Sequence, residues 1–265
     1  MFELNTFLAG GLVLLVSACL VWLISIVKHD VSIVDSFWSV MFVLVFFMYS
    51  WSAPHVDLRG IVTGILLLVW AARLSMYITW RNWGDNEDHR YRAIRQKYEP
   101  HFWLKSLLII FIFQAVLAWI VSLPLLAILT ATSKVGIFDY IAMAMIIFGI
   151  SFESIADWQL HRFKSQPDNH GKVLNQGLWR YSRHPNYFGE FCVWWGFYFL
   201  ALAGGGWWSV ISPLLMTFLL LKFSGVALLE SNIGQRRPKY SEYVRSTNAF
   251  FPGPQRTVRL GGGSL

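Results

Sequence analysis

The run Thr6-Phe-Leu-Ala-Gly-Gly-Leu-Val-Leu-Leu-Val-Ser-Ala-Cys-Leu-Val-Trp-Leu-Ile-Ser-Ile-Val27 holds twenty-two residues without a charged side chain. Its length decides the fold. A bilayer core about 30 Å thick needs about 20 apolar residues in a helix that rises about 1.5 Å per residue. A secretory leader would carry a basic segment ahead of a shorter apolar one and end at a small-residue cleavage site. Here Glu3 is the only charged side chain before the run, so the run reads as a membrane span. Working outward, six more segments meet the same test: 33–51, 60–80, 106–130, 138–160, 187–203 and 209–231. The sixth span is short and stops at Gly204-Gly205-Gly206, a turn signal.

Composition agrees. Of 265 residues, 55% are hydrophobic, 17% aromatic and 14% charged, and the mean hydropathy is +0.48. Soluble domains carry about 25% charged residues, so a soluble globular protein and a disordered chain are both excluded. Cys19 and Cys192 both fall in apolar stretches and read as core filler rather than a disulfide. The net charge is +7. In a membrane protein that excess belongs on one side, so nucleic acid is not expected as a partner. Seven spans sort the loops: Lys28, the loops from Arg81 to Lys105 and from Arg162 to Arg183, and the tail from Arg236 to Arg259 share a side. Eighteen Lys and Arg fall there, against Arg59 and Lys134 opposite. By the positive-inside rule the N-terminus is outside and the C-terminus cytosolic. The expected fold is all-α, one polytopic bundle of about seven transmembrane helices over 1–260. The final Gly-Gly-Gly-Ser-Leu, 261–265, reads as a tail outside it.

Ionisable groups inside spans are costly and are functional candidates by default. Asp35, Glu153, Asp157, Glu190 and Glu230 are such groups, and all but Glu153 fall near the basic-loop end of a span. The alternative is that they reach the interface or pair with Arg73 and the loop arginines. Glu153, Asp157 and His161 share a helix face at i, i+4, i+8 and read as a polar lining; no metal site is expected. No G-x-G-x-x-G after a strand and no G-x-x-x-x-G-K-[ST] occurs, which leaves a Rossmann domain and a P-loop unsupported. Any nucleotide must be held by the helices and their loops.

The densest chemistry lies in Asn175-Gln-Gly-Leu-Trp-Arg-Tyr-Ser-Arg-His-Pro-Asn-Tyr-Phe-Gly-Glu190. Arg180, Arg183 and His184 suit phosphates or a carboxylate. Pro185 is expected to start the sixth span and set the positive end of its dipole nearby. Tyr181 and Tyr187 can stack or donate, and Gly189 permits close approach. A plain interfacial collar of basic and aromatic anchors is the structural alternative. Such a collar has no need of His, Asn and Glu within a turn and a half.

This run, with Trp194-Trp195-Gly196 after it, resembles the C-terminal signature of the steroid 5-alpha-reductase-like superfamily, and within it a subgroup of reductase-like membrane proteins. The likeness is strongest over 149–252. It takes in Asp157-Trp158 and the tail from Glu230 to Tyr243 that ends in Phe250-Phe251-Pro252. Asp30–Trp38 and Glu87-Asp88-His89-Arg90-Tyr91 also look like that subgroup. The resemblance implies a seven-helix bundle that holds NADPH from the cytosolic side and reduces a carbon–carbon double bond of a lipid-like substrate, a steroid or an enoyl or enone lipid. It implies cofactor contacts from Asp157, Lys164, Tyr181, Asn186, Tyr187 and Glu190, to which the reading of the segment itself adds Arg180, Arg183 and His184. It extends them to Glu230, Asn232 and Arg236, and to Arg73, Arg81 and Asn82 on the third span and its loop. Asn232 and Arg236 fall near positions that are His and Tyr in steroid reductases.

The first half departs from steroid reductases. Val34-Asp35 stands where they carry a Gln-Glu pair, and the third span offers Trp70 at the direct register of their Tyr and Tyr77 two turns on. Hydride addition to an enone builds charge on the carbonyl oxygen, which a donor stabilises. Asp35, kept protonated by burial, or Tyr77 is expected to supply that donor; the alternatives are a first-turn acid and a core aromatic. Glu87–Tyr91 is expected to form an ion-pair lid over the cofactor, with a solvated amphipathic helix over about 85–98, or attraction to anionic headgroups, as the alternatives.

The rival enzyme is a membrane S-adenosylmethionine-dependent methyltransferase of the isoprenylcysteine methyltransferase type. Arg183-His-Pro-Asn-Tyr187 and Glu230 with Tyr240 and Tyr243 loosely fit its pattern. A non-enzymatic lipid receptor and a transporter are weaker readings. The expected partners are the lipid bilayer and a hydrophobic small molecule. The expected location is a bacterial inner membrane or the endoplasmic reticulum, with the active site facing the cytosol.

Overall fold

The computed structural model describes residues 2–84, 86–223 and 240–256, and all regular structure among them is helical. Among the described residues, five helices are long and apolar enough to cross a membrane: α1 (Leu4–Lys28), α2 (Ile33–Ser52), α3 (Leu58–Arg81), α5 (Phe102–Leu129) and α6 (Ile137–Lys164). Polar α4 (His89–Tyr98) lies between α3 and α5. The nineteen-residue α7 (Pro185–Ala203) and the apolar α8 (Trp207–Lys222) follow, with the short α9 (Tyr240–Ser246) after them. The expected spans 187–203 and 209–231 correspond to α7 and α8; residues 224–231 lie outside the described residues.

Side-chain exposure gives these helices an outward apolar face. On α1, Leu8, Leu12, Val16, Leu20 and Ile24 recur every four residues and all are exposed. A stripe of that size facing water would be an aggregation surface; facing lipid, it makes this a membrane protein.

The chain divides into two compact units, Met1–Tyr140 with Phe197–Ser212 and Ile141–Gly196 with Pro213–Leu265. In the first, α2 packs on α1 and α3, and α5 packs on α1. Leu14, Met41, Phe42, Val45, Leu67, Trp70 and Phe111 form its core. Phe42 meets Trp70 edge-on at 5.6 Å. Polar groups inside are satisfied locally, as a dry interior demands. Ser39 Oγ donates to the Ala71 carbonyl at 2.9 Å, and Tyr49 Oη shares a 2.9 Å hydrogen bond with Ser122 Oγ. α5 is not one regular helix. A π-helical turn occupies Leu107–Ile112, and the helix restarts at Leu123 with Pro124 in its first turn, where a missing N–H costs nothing. At the far end of α3, Arg59 is fully buried and pairs with Asp139.

In the second unit, α6 and the first part of α7 approach closely. A Cβ on Gly149 would sit 2.6 Å from the Gly189 carbonyl oxygen, and one on Gly189 would sit 2.7 Å from the Glu153 backbone nitrogen. Glycine at both positions is what permits this crossing. Ile146, Ala156, Val193 and Trp194 are buried there, beside a cluster of Phe188, Phe191, Phe250 and Phe251 rings.

Candidate functional site

The second unit carries the signature segment. Its first half is anchored on α6. Leu178 N–H donates to Gln159 Oε1 at 2.9 Å, and Trp179 Nε1 donates to the Ala156 carbonyl at 3.0 Å. The turn needs Gly177, whose φ is +58° and whose added Cβ would strike the Gln159 amide at 2.5 Å. The rest of the segment is sewn to residues 243–253. Tyr243 Oη donates to the Trp179 carbonyl. Ser182 Oγ donates to the Phe250 carbonyl at 2.7 Å, and Arg183 Nη1 donates to the carbonyls of Val244 and Thr247 at 3.0 and 2.6 Å. Arg183 N–H adds a bond to the Asn248 carbonyl at 2.9 Å, and Gly253 N–H one to the Tyr181 carbonyl at 3.0 Å. Arg183 thus serves the tail backbone, a use that its residue type alone did not suggest.

Pro185 begins α7, as the sequence predicts. The first turn of α7 is set on α6 by Asn186, whose Nδ2 donates to Asp157 Oδ1 at 3.2 Å. Four residues on, Glu190 Oε1 accepts from Trp194 Nε1 at 3.0 Å. The His184 and Tyr187 rings are parallel, 5.6 Å between centroids. Glu153, Asp157, His184 and Glu190 are all buried. Lys164, Arg180 and Tyr181 are exposed. The structure therefore brings together Asp157, Asn186, Tyr187 and Glu190 on two packed helices, with His184 just ahead of α7 and Arg180 and Tyr181 on the anchored turn before it. Trp194, quoted in the signature but given no role, is the partner of Glu190; the i, i+4 spacing carried that signal.

The first unit holds the other candidates. On α3, Tyr77 is flanked one turn to each side by Arg73 and Arg81, whose guanidinium carbons lie 5.7 and 5.8 Å from its ring centroid. Arg81 Nε donates to Asn82 Oδ1 at 3.1 Å. Asp35, in the first turn of α2, receives two donors from α4. Tyr91 Oη donates to Oδ1 at 2.5 Å and Arg90 Nη2 to Oδ2 at 2.8 Å. Fifty-six residues separate Asp35 from Tyr91, and nothing in the sequence linked them beyond the charged tract 87–91. The helix over about 85–98, the alternative to a lid, is found as His89–Tyr98, capped by Asp88, whose carboxylate accepts from Arg90 N–H at 2.8 Å.

The charges of this tract are matched. Partial burial raises the Glu87 carboxyl, but the Arg95 guanidinium and the Val31 N–H outweigh it and hold the group below the usual carboxylate range. Asp88 is likewise lowered, with Arg90 outweighing its burial. Burial, then Asp35, push the Tyr91 phenol well up. Glu230, Asn232 and Arg236 lie outside the described residues.

A family model described as a protein of unknown function (DUF1295) matches residues 21–247. An uncharacterized protein of Schizosaccharomyces pombe is 28% identical over 288 aligned positions, which cover 95% of this chain and 81% of that protein. No solved structure matches the chain.

Proposed function

The chain belongs to the DUF1295 family, and from that premise we propose that it is an NADPH-dependent membrane reductase acting on a carbon–carbon double bond of a lipid-like substrate. One observation carries the reading. The buried Asp157 carboxylate on α6 is engaged by Asn186 from the first turn of α7. Buried ionisable groups in membrane helices are expensive to keep, and this one is held in the segment that resembles the cofactor signature of steroid 5-alpha-reductase-like proteins.

The donor set fits a dinucleotide in kind. Arg180 and Lys164 are cations for its phosphates. Asp157 and Glu190 are acceptors for its hydroxyl or amide groups, and the parallel His184 and Tyr187 rings are faces for stacking. Bound there, NADPH would supply the hydride, to the β-carbon of an alkene conjugated to a carbonyl. Asp35 and Tyr77 remain the candidates for stabilising the charge on the carbonyl oxygen. The apolar exterior delivers a lipid-like substrate and excludes water. We further propose seven spans, with α7 and α8 as the last two, an outside N-terminus and a cytosolic C-terminus. The sidedness of the eighteen basic loop and tail residues supports that arrangement.

The test is thermal stability of the detergent-purified protein with NADPH, NADH and S-adenosylmethionine. A ligand that binds only the folded state stabilises by about 2.7 kcal/mol at a hundredfold excess over its Kd. A shift with NADPH, followed by loss of its absorbance on adding enone lipids, is expected. A shift with S-adenosylmethionine alone overturns the reading in favour of methyl transfer.

A further inference from the structure

Apolar packing does not explain why α4 stays where it is. The helix has ten residues, and Tyr91 alone among them is buried. Helices shorter than about 12–15 residues are marginal in water by themselves. Side-chain tethers to the start of α2 hold the first half of α4, and at its other end Lys105 Nζ on α5 donates to the Tyr98 carbonyl at 2.9 Å. Tyr91 and Arg90 donate to the two oxygens of Asp35 at 2.5 and 2.8 Å. Glu87 Oε1 accepts from Val31 N–H at 3.1 Å, and Ser32 Oγ accepts from Asp88 N–H at 2.8 Å. Arg95 closes back on Glu87 at 2.7 and 2.9 Å, with its guanidinium carbon 4.5 Å from the Phe102 ring centroid. On the α2 side, every anchor lies within residues 31–35.

The same segment walls a cleft of about 350 Å³. Asn86, Glu87, Asp88, His89 and Arg92 line it from the tethered side, and Asp30, Ser32 and Asn82 line it from the α1–α2 turn and the end of α3. All eight lining residues carry polar or charged side chains. Carboxylates, amides and a guanidinium alternate around it, which suits a multiply hydrogen-bonding solute of small net charge.

We propose that residues 87–95 are a strap, latched on Asp35, that opens and closes this cleft to such a solute. Asp35 is the latch because adjacent strap residues use both of its oxygens. Arg90 is held in line for it by Asp88, Nε to Oδ1 at 3.0 Å. Without Asp35, two buried or half-buried donors lose their acceptor together, while Glu87 and Ser32 still hold the beginning of the strap. The part around Arg92 then swings away from α2, and the cleft opens on the side that Arg92 lines. While Tyr91 and Arg90 both donate to it, Asp35 is an acceptor, so a proton-donating role for it requires the open strap. The strap stands whether or not the reductase reading does.

Hydrogen–deuterium exchange on the full chain in detergent tests this. In Asp35→Ala, which leaves no acceptor for either donor, amides of 89–98 are expected to exchange about tenfold faster than in the wild type, with α1 and α3 unchanged. Tyr91→Phe combined with Arg90→Gln opens the same latch from the strap side, and it decides the matter if Asp35→Ala does not fold. Unchanged exchange of 89–98 in these variants overturns the proposal. Equal acceleration through α1 and α3 also overturns it, since Asp35 would then be a general support of the fold.

Discussion

Arg59 and Asp139 face each other across eighty residues of sequence with two matched contacts, Nε to Oδ1 at 2.5 Å and Nη2 to Oδ2 at 3.2 Å. Both side chains are almost fully buried. The guanidinium also donates to the carbonyls of Ser133 and Lys134 at 3.1 and 3.3 Å, and Asp139 Oδ2 accepts from Gly136 N–H at 2.8 Å. Every group in this cluster has a partner, so breaking one half leaves the other charged and buried. Asp139→Leu or Arg59→Met alone is expected to cost about 3–5 kcal/mol. The double replacement should cost less than the two single ones together, because no charge is then stranded. Denaturation midpoints of the four proteins in one detergent check this.

The α6–α7 crossing gives a second prediction. An added Cβ at Gly189 meets the Glu153 nitrogen and the Gly149 oxygen, both at 2.7 Å, and both are backbone atoms that cannot turn aside. Gly189→Ala should destabilise by about 1–3 kcal/mol, the usual range for overpacking. By pushing the helices apart it should also lengthen the Asn186–Asp157 bond and shrink any stabilisation by NADPH. Gly136→Ala is the control. Nothing lies within 4 Å of its added Cβ, its φ is not positive and its N–H is retained, so a change within about 0.5 kcal/mol is expected. Equal losses in both variants would remove the argument from close approach.

Much of this fold was legible because lipid imposes one rule, continuous apolar length, and a sequence displays length directly. The expected spans 6–27, 33–51, 60–80 and 138–160 each fall inside an observed helix. The span 106–130 was less well read. It begins at Phe102 and contains a π-helical turn and a restart near Pro124, and hydropathy counts residues without registering how the backbone hydrogen bonds are closed. Partners one turn apart, such as Glu190 and Trp194, can be read from spacing. The Asp35–Tyr91 and Arg59–Asp139 pairs cannot, because they depend on which helices become neighbours. The tract 87–91 announced charge pairing, but its anchor on α2 was visible only in three dimensions.

Acid should loosen the strap, and the sign follows from its carboxyls. Glu87 and Asp88 have folded-state values below their ordinary 4.5 and 3.8. A group depressed on folding contributes stability that is present above its ordinary value and lost as pH falls through the lowered one. The charged and titratable groups around them are Asp35 on α2, Asp30 on the preceding turn, and His89, Arg90, Tyr91, Arg92 and Arg95 on α4. Strap protection should therefore be level from neutrality down to about pH 5 and decline below that, after correction for the intrinsic exchange rate. Glu87→Gln should flatten part of the decline. A profile that instead changes between pH 6 and 8 would remove Glu87 and Asp88 as its cause.

The cofactor reading makes its own demand on Asp157. The carboxylate is buried and accepts from Asn186 Nδ2 at 3.2 Å. Asp157→Asn keeps the volume but removes the charge, and the facing amides can still pair if one is turned over. Its cost in stability should be small, about 1 kcal/mol or less. If Asp157 holds the cofactor, the stabilisation by NADPH should nevertheless fall, and its apparent Kd should rise about tenfold, the equivalent of about 1.4 kcal/mol. Asn186→Asp is the informative companion, because two carboxylates then meet at that distance and repel; it should lose both stability and NADPH binding. An Asp157→Asn protein with an undiminished NADPH shift would make the Asp157–Asn186 pair a structural tie between α6 and α7 and remove the observation on which the reductase assignment rests.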